Sequence, residues 1–308
     1  MKKIFKIIFI NILAILSICI LVEIFLFLKE YHRIVTDNYF KEEYLFSTHL
    51  RNYIREFSSP KYYWPRDFRK PAGLEYKDKP SIILLGCSYA YGFRLTEEES
   101  FHTVLAEAMK RPVFNLSLVA GGPRDTLYEL RNNELLDEIL KDNNHNKTEY
   151  VIYTYMGNHK PRLLADLYKR SPKFEIINNG KSLRNIKPYP YESFYLYQKV
   201  RKYIAEKTYK NPETDELFFL YMKEIKDQAS TLLNNEGKPI KFIFLVYNDY
   251  FEDWDRLEQY GIRVIKLNEI LDLDINGIDY RLSQTDCHPN AKAWQIIVPA
   301  LVKELNKE

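Results

Sequence analysis

Five short apolar runs, Ser81 to Gly86, Val113 to Leu118, Tyr150 to Tyr155, Lys241 to Tyr247 and Arg263 to Leu267, constrain what this chain can fold into more than any other feature. They are β-branched or aromatic and lack the polar alternation of a strand with one wet face, so both of their faces must be buried. Helical patterns separate them: Phe101 to Arg111, Thr126 to Lys141, Glu213 to Asn235 and Asn290 to Leu305. In the third, Leu217, Tyr221, Ile225, Ala229 and Leu232 recur at helix spacing and Gly237 supplies a stop. Asn290 suits the N-cap of the last. This alternation predicts an α/β domain from about Pro80 onward, with a mostly parallel five-stranded sheet covered by helices on both faces. Residues Lys160 to Asn211 break the rhythm and read as an insertion, suited to a lid or a substrate rim.

Ahead of Pro80 the chain has a different character. After Lys2, Lys3 and Lys6, the stretch Ile7 to Leu28 is apolar except for Asn11, Ser17 and Glu23. About 20 such residues span a bilayer core, which predicts a transmembrane helix over residues 7–28. A cleaved signal peptide fits less well, because the apolar core exceeds about 15 residues and no small-x-small site follows it. The lysines place residues 1–6 in the cytoplasm and everything from Lys29 on the other side, in a bacterial periplasm or at a cell surface. Residues 29–79 read as a membrane-proximal helix to about Phe57, then an extended linker carrying Pro60, Pro65 and Pro71.

Composition removes some classes of function. The net charge is only +3 over 308 residues and the basic side chains are scattered among acidic ones, so no concentrated field argues for nucleic acid. Three cysteines are too few and too spread for a disulfide framework or a zinc cluster, and His32, His49, His102 and His145 show no ligand spacing. No metal and no cofactor is expected, and no phosphate-cradling glycine loop is present.

Ligands of open parallel sheets gather beyond the carboxyl ends of the strands. The first run ends in "GCSYAYG", with Ser88 at the turn; the second in "NLSLVAGGPRD", with Gly121 and Gly122; the third in "YMGNHKPR", with Asn158, His159 and Arg162. Near the C-terminus, "SQTDCHPNAKAW" sets Asp286 and His288 before the final helix. Taken singly, such residues are ordinary turn and cap residues. Together they supply a hydroxyl, an imidazole and a carboxylate. A serine hydroxyl is a weak nucleophile until an imidazole removes its proton, and the imidazole works best when a carboxylate fixes its tautomer.

These four segments resemble the blocks of the SGNH/GDSL hydrolase superfamily over roughly Pro80 to Leu305, with Cys87 standing where that family has Asp and His159 where many members have Asp. The resemblance implies a flavodoxin-like three-layer fold, Ser88 as nucleophile, His288 as base and Asp286 as the group orienting it. It also implies an oxyanion held by the Ser88 N–H, a glycine N–H at Gly121 or Gly122, and the Asn158 side chain. The activity implied is ester hydrolysis or acyl transfer through an acyl-enzyme on Ser88. His159 and Arg162 are expected beside the substrate, where they suit an anionic or sugar group. A membrane anchor would favour an acylated cell-surface glycan or lipid as substrate. The competing reading is a catalytically silent, anchored module that binds a glycan or a protein. Cys87 as nucleophile is disfavoured because the residue before Ser88 points to the opposite side, and the same alternation opposes a disulfide between Cys87 and Cys287.

Overall fold

The structure, a computed structural model, describes residues 69–119, 121–131, 148–157, 159–164, 173–177, 182–186, 200, 203–204, 207, 212–233, 239–248, 254–284 and 286–307, with scattered residues between 9 and 25. The chain divides into two units, one holding residues 1–66, 168–170 and 188–204, the other 67–167, 171–187 and 205–308. In the first, the described residues between 9 and 25 are helical, and Phe9, Ile15, Ile18, Leu21 and Phe25 are 60–65% exposed. The expected span over residues 7–28 lies largely outside the described residues, and among those described no helix is long and apolar enough to cross a membrane. The expected helix and linker up to residue 68 also lie outside them.

The second unit is built on five parallel strands: β1 (Ser81–Gly86), β2 (Val113–Asn115), β3 (Thr148–Tyr155), β6 (Lys241–Val246) and β7 (Ile262–Lys266). Their order is β2-β1-β3-β6-β7, the flavodoxin-like arrangement, whose ligand crevice opens between β1 and β3. Alternate residues face opposite layers. Ile83, Leu85, Val151, Tyr153, Phe242 and Phe244 pack against α3 (Pro123–Arg131) and α5 (Pro212–Leu233). Ile82, Leu84, Ile152, Ile243 and Leu245 pack with α2 (Phe101–Met109) and α8 (Ala291–Leu305). Burial on both faces is why these strands read as unbroken apolar runs.

Two boundaries differ from expectation for local reasons. Strand β2 stops at Asn115, although the Leu116 and Leu118 N–H groups still bond the Leu84 and Gly86 carbonyls of β1 at 2.9 and 3.1 Å; just there the Asn115 side chain takes the Ser117 N–H at 3.1 Å and donates to the Ala90 carbonyl at 2.8 Å. The domain also begins earlier than Pro80, since Ala72 and Val113 exchange backbone hydrogen bonds of 3.0 and 2.9 Å. Within the expected insertion lie α4 (His159–Leu164) and an antiparallel hairpin of β4 (Lys173–Ile177) and β5 (Ser182–Ile186). Arg131 on α3 donates to the Leu183 carbonyl and pairs with Glu224 on α5, so the hairpin is fastened to these two helices.

The layer under β1 is keyed by Trp294 of α8 stacked on Phe101 of α2, with ring centroids 4.4 Å apart and both residues fully buried. The change Trp294→Ala is expected to cost about 3–5 kcal/mol, because packing around a removed indole relaxes only in part. Urea unfolding would show the loss, and a change below about 1 kcal/mol would mean that α8 is not bound through this residue.

Candidate active site

Strand β1 ends at Gly86 with φ 134°, a conformation open to glycine, and a Cβ there would lie 2.7 Å from the Thr154 carbonyl of β3. That close approach leads directly into the turn that carries Ser88. Cys87 is extended, and a four-residue helix α1 (Ser88–Tyr91) follows, closed by Gly92 at φ 75°. As the first helical residue, Ser88 carries a backbone N–H with no intrahelical acceptor. The serine itself is 6% exposed.

The partner loop precedes α8. Leu282 N–H bonds the His288 carbonyl at 2.9 Å, Asp286 N–H bonds the Ser283 hydroxyl at 3.0 Å, and Asn290 caps the helix by accepting from Ala293 N–H. Asp286 Oδ1 accepts the His288 backbone N–H at 3.1 Å and lies 2.5 Å from His288 Nδ1. His288 Nε2 lies 2.7 Å from the Ser88 hydroxyl. A carboxylate only accepts, so it holds the ring proton on Nδ1 and leaves the Nε2 lone pair facing Ser88 Oγ–H. The structure thus brings Ser88, His288 and Asp286 into one row. Among the described residues, no group of three or more His, Cys, Asp or Glu is arranged to hold a metal ion.

Two aromatic residues that sequence reasoning missed flank the imidazole. Tyr89 and Phe93 each have ring centroids 5.0 Å from that of His288. The Tyr89 hydroxyl donates to the Cys287 carbonyl at 2.8 Å, which ties α1 to the loop that carries His288. Burial pushes the Tyr89 phenol up, with the bond to Cys287 acting the same way, so it remains a donor. Both tyrosine and phenylalanine sit within the "SYAYGF" string, but nothing in its spacing points at a residue 200 positions away.

Cys87 is fully buried, with its thiol 3.4 Å from the Met156 sulfur, and burial pushes that thiol up, away from the reactive thiolate. Cys87 and Cys287 are both free. The glycine loop differs from the expected oxyanion cradle. Gly121 N–H is donated to the Leu118 carbonyl at 2.9 Å and Gly122 N–H to Asp125 at 3.0 Å, so both close the turn. Asn158, the other expected donor, lies outside the described residues; the adjacent Gly157 N–H bonds Asn248, just past β6, at 2.9 Å.

His159 and Arg162 also depart from the substrate rim. His159 is 0% exposed, its Nδ1 is 2.9 Å from the Tyr153 hydroxyl, and its ring meets Tyr153 and Tyr155 edge-on, because the start of α4 folds over β3 there. Arg162 is half-buried and donates through Nη1 to the Gly121 carbonyl. Its guanidinium therefore braces the glycine loop.

Burial holds His159 well below the ordinary imidazole range, helped by Arg162, and lowers His102 to about 4 against the opposing pull of Glu97. The unfolded chain takes up these protons near pH 6.5 while the folded one does not, so stability is complete above about 6.5 and falls as the pH drops toward 4. Each histidine contributes a limiting slope of about 1.4 kcal/mol per pH unit. Thermal unfolding between pH 7 and 4 should show a steadily falling midpoint; a flat profile would mean that the two imidazoles take up protons in the fold.

No protein-family model and no curated protein matches the chain. Solved structures similar to it include a protein assigned to the lipolytic G-D-S-L family from Desulfitobacterium hafniense DCB-2, at 16% identity and TM-score 0.44, over 73% of this chain and 99% of that one. Another is an acetyl xylan esterase, Est2A, from Butyrivibrio proteoclasticus, at 10% identity and TM-score 0.42, over 74% of this chain and 64% of that one. A third is a carbohydrate esterase family 2 enzyme with a carbohydrate-binding domain from Corynascus thermopiles (Myceliophthora fergusii), at 10% identity and TM-score 0.36, over 74% and 66%.

Proposed function

We propose that the protein is a serine ester hydrolase or O-acyl transferase of the SGNH type, working through an acyl-enzyme on Ser88. The observation that carries this reading is the Ser88 hydroxyl 2.7 Å from His288 Nε2, with Asp286 on the far side of the ring. In the forward step His288 takes the Ser88 proton while Oγ bonds to the ester carbonyl carbon, and the negative charge moves to the carbonyl oxygen. The Ser88 N–H and the Asn158 side chain are the proposed donors to that oxygen. When the tetrahedral species collapses, the ester C–O bond breaks and His288 Nε2–H protonates the departing alcohol. Water, or an acceptor hydroxyl in the transfer reaction, then repeats the sequence against the acyl-serine.

Residues 7–28 are proposed to anchor the chain, with residues 1–6 cytoplasmic and the catalytic unit outside. The exposed apolar side chains between Phe9 and Phe25 support this reading. A site tethered at a membrane meets acylated saccharides or lipids of the cell surface first, and these are the proposed substrates. The full chain should stay with membranes through an alkaline carbonate wash and leave them in detergent; release by carbonate alone would contradict the anchor.

Incubating the detergent-solubilised full chain with a short-acyl chromogenic ester and with a fluorophosphonate probe tests the chemistry. Turnover together with a probe adduct on the Ser88 peptide is expected. The donated N–H groups of Gly121 and Gly122 favour the second reading, a silent binding module. Absence of both turnover and adduct would overturn the first reading.

A further inference from the structure

We propose that Arg69, at the entry to the catalytic unit, is a positioning residue for both Ser88 and His288. This rests on the assignment of Ser88 and His288 as nucleophile and base. Helix α1 has four residues, too few to persist on its own, and its last carbonyls have no intrahelical donor. Asn115 donates to the Ala90 carbonyl, and Arg69 to the last one and to two in the turn that follows. Its Nε donates to the Tyr91 carbonyl at 3.0 Å, and its Nη2 to the Gly92 and Leu95 carbonyls at 2.6 and 2.7 Å. Nη1 lies 3.1 Å from Glu97, the guanidinium carbon is 5.1 Å from the Tyr91 ring centroid, and the side chain is 9% exposed. One planar fork thus holds three carbonyls of a single turn, which a lysine ammonium on a flexible stem cannot reproduce.

The clamped turn carries Phe93, the residue whose ring lies 5.0 Å from the His288 imidazole. It is not a relaxed turn: Gly92 has φ 75° and Arg94, which has a side chain, has φ 65°. A non-glycine residue in that region costs free energy and persists where its surroundings hold it. Phe93 N–H bonds the Ser88 carbonyl at 3.0 Å, so the same turn grips the nucleophile helix from inside. Arg69 is itself fixed at the next residues. The His102 imidazole lies 3.1 Å from the Lys70 carbonyl, and Ala72 is bridged to Val113 of β2. The sequence of contacts therefore runs from a pinned entry segment, through one guanidinium, to the first helical turn on one side and the face of the catalytic ring on the other.

The test uses the full chain in detergent as wild type, Arg69→Ala, Arg69→Lys and Phe93→Ala. Hydrogen exchange at the Phe93 and Leu95 amides reads the turn, and the rate of fluorophosphonate labelling of Ser88 reads the site. In Arg69→Ala, exchange at both amides is expected to quicken and labelling to slow at least tenfold. Arg69→Lys should not restore labelling, whereas millimolar methylguanidine added to Arg69→Ala should, a rescue that a general packing loss would not give. Phe93→Ala, which leaves the clamp in place, should slow labelling with little change at the Leu95 amide. Should Arg69→Ala fail to fold, labelling of Arg69→Lys at the wild-type rate would overturn the proposal. So would unchanged amide exchange or unchanged labelling in a folded Arg69→Ala. A wild type that is neither labelled nor active would refute the hydrolase reading, and unchanged exchange in Arg69→Ala would then separately refute the clamp.

Discussion

Changing Ser88 to alanine is expected to lower kcat/KM toward a short acyl ester by at least about 10³-fold, equivalent to about 4 kcal/mol of transition-state stabilisation. Without Oγ no acyl-enzyme forms, and only the donors that face the developing oxyanion remain to assist direct attack by water. The substitution removes one oxygen from a residue that is nearly buried, in a helix whose backbone bonds do not use that oxygen, so the fold should survive. Steady-state kinetics beside thermal unfolding would separate the two effects. A drop smaller than tenfold in a folded variant would mean that turnover does not pass through this hydroxyl.

Asp286→Asn is expected to be comparably costly, with kcat falling by about 10⁴-fold, the scale of that exchange in serine hydrolases. Asp286 Oδ1 serves two donors, the backbone N–H and Nδ1 of His288, and an amide can mimic the shape of that arrangement. It cannot mimic the charge. Presenting its NH2 group to Nδ1 would force the ring proton onto Nε2, which then faces Ser88 as a donor and cannot receive the serine proton. The measurable signature is a collapse of kcat with an unfolding midpoint close to wild type. Retention of more than a tenth of kcat would show that His288 does not depend on this carboxylate.

The five strands could be read from the chain because double-sided burial leaves unbroken apolar runs; Ser88 stood out because it follows the end of the first run, and Asp286 and His288 because they stand together in a polar loop just before the last helix. What escaped was set by single side chains reaching across the fold. Asn115, at the end of β2, takes a backbone N–H and reaches the Ala90 carbonyl, contacts which no pattern of hydrophobicity encodes. His159 follows a strand in a polar string and so read as a rim residue, yet the turn into α4 drives it under Tyr153 and Tyr155. Gly121 and Gly122 have the flexibility an oxyanion loop needs, but flexibility does not say where an N–H points, and here local acceptors take both. Arg69 sat in a stretch rich in proline and charge that resembled a connector. Its partners, the carbonyls of Tyr91, Gly92 and Leu95, are backbone atoms that carry no sequence signature of their own.

Ser88 and His288, which meet in the fold, are separated by 200 positions in the chain. During synthesis, the stretch bearing the alcohol is made long before the stretch bearing its imidazole, and a parallel sheet cannot close until distant strands have arrived. On the proposed hydrolase reading, a partly made or still-threading polypeptide therefore carries no armed nucleophile, and the chemistry would switch on only when the last helix docks.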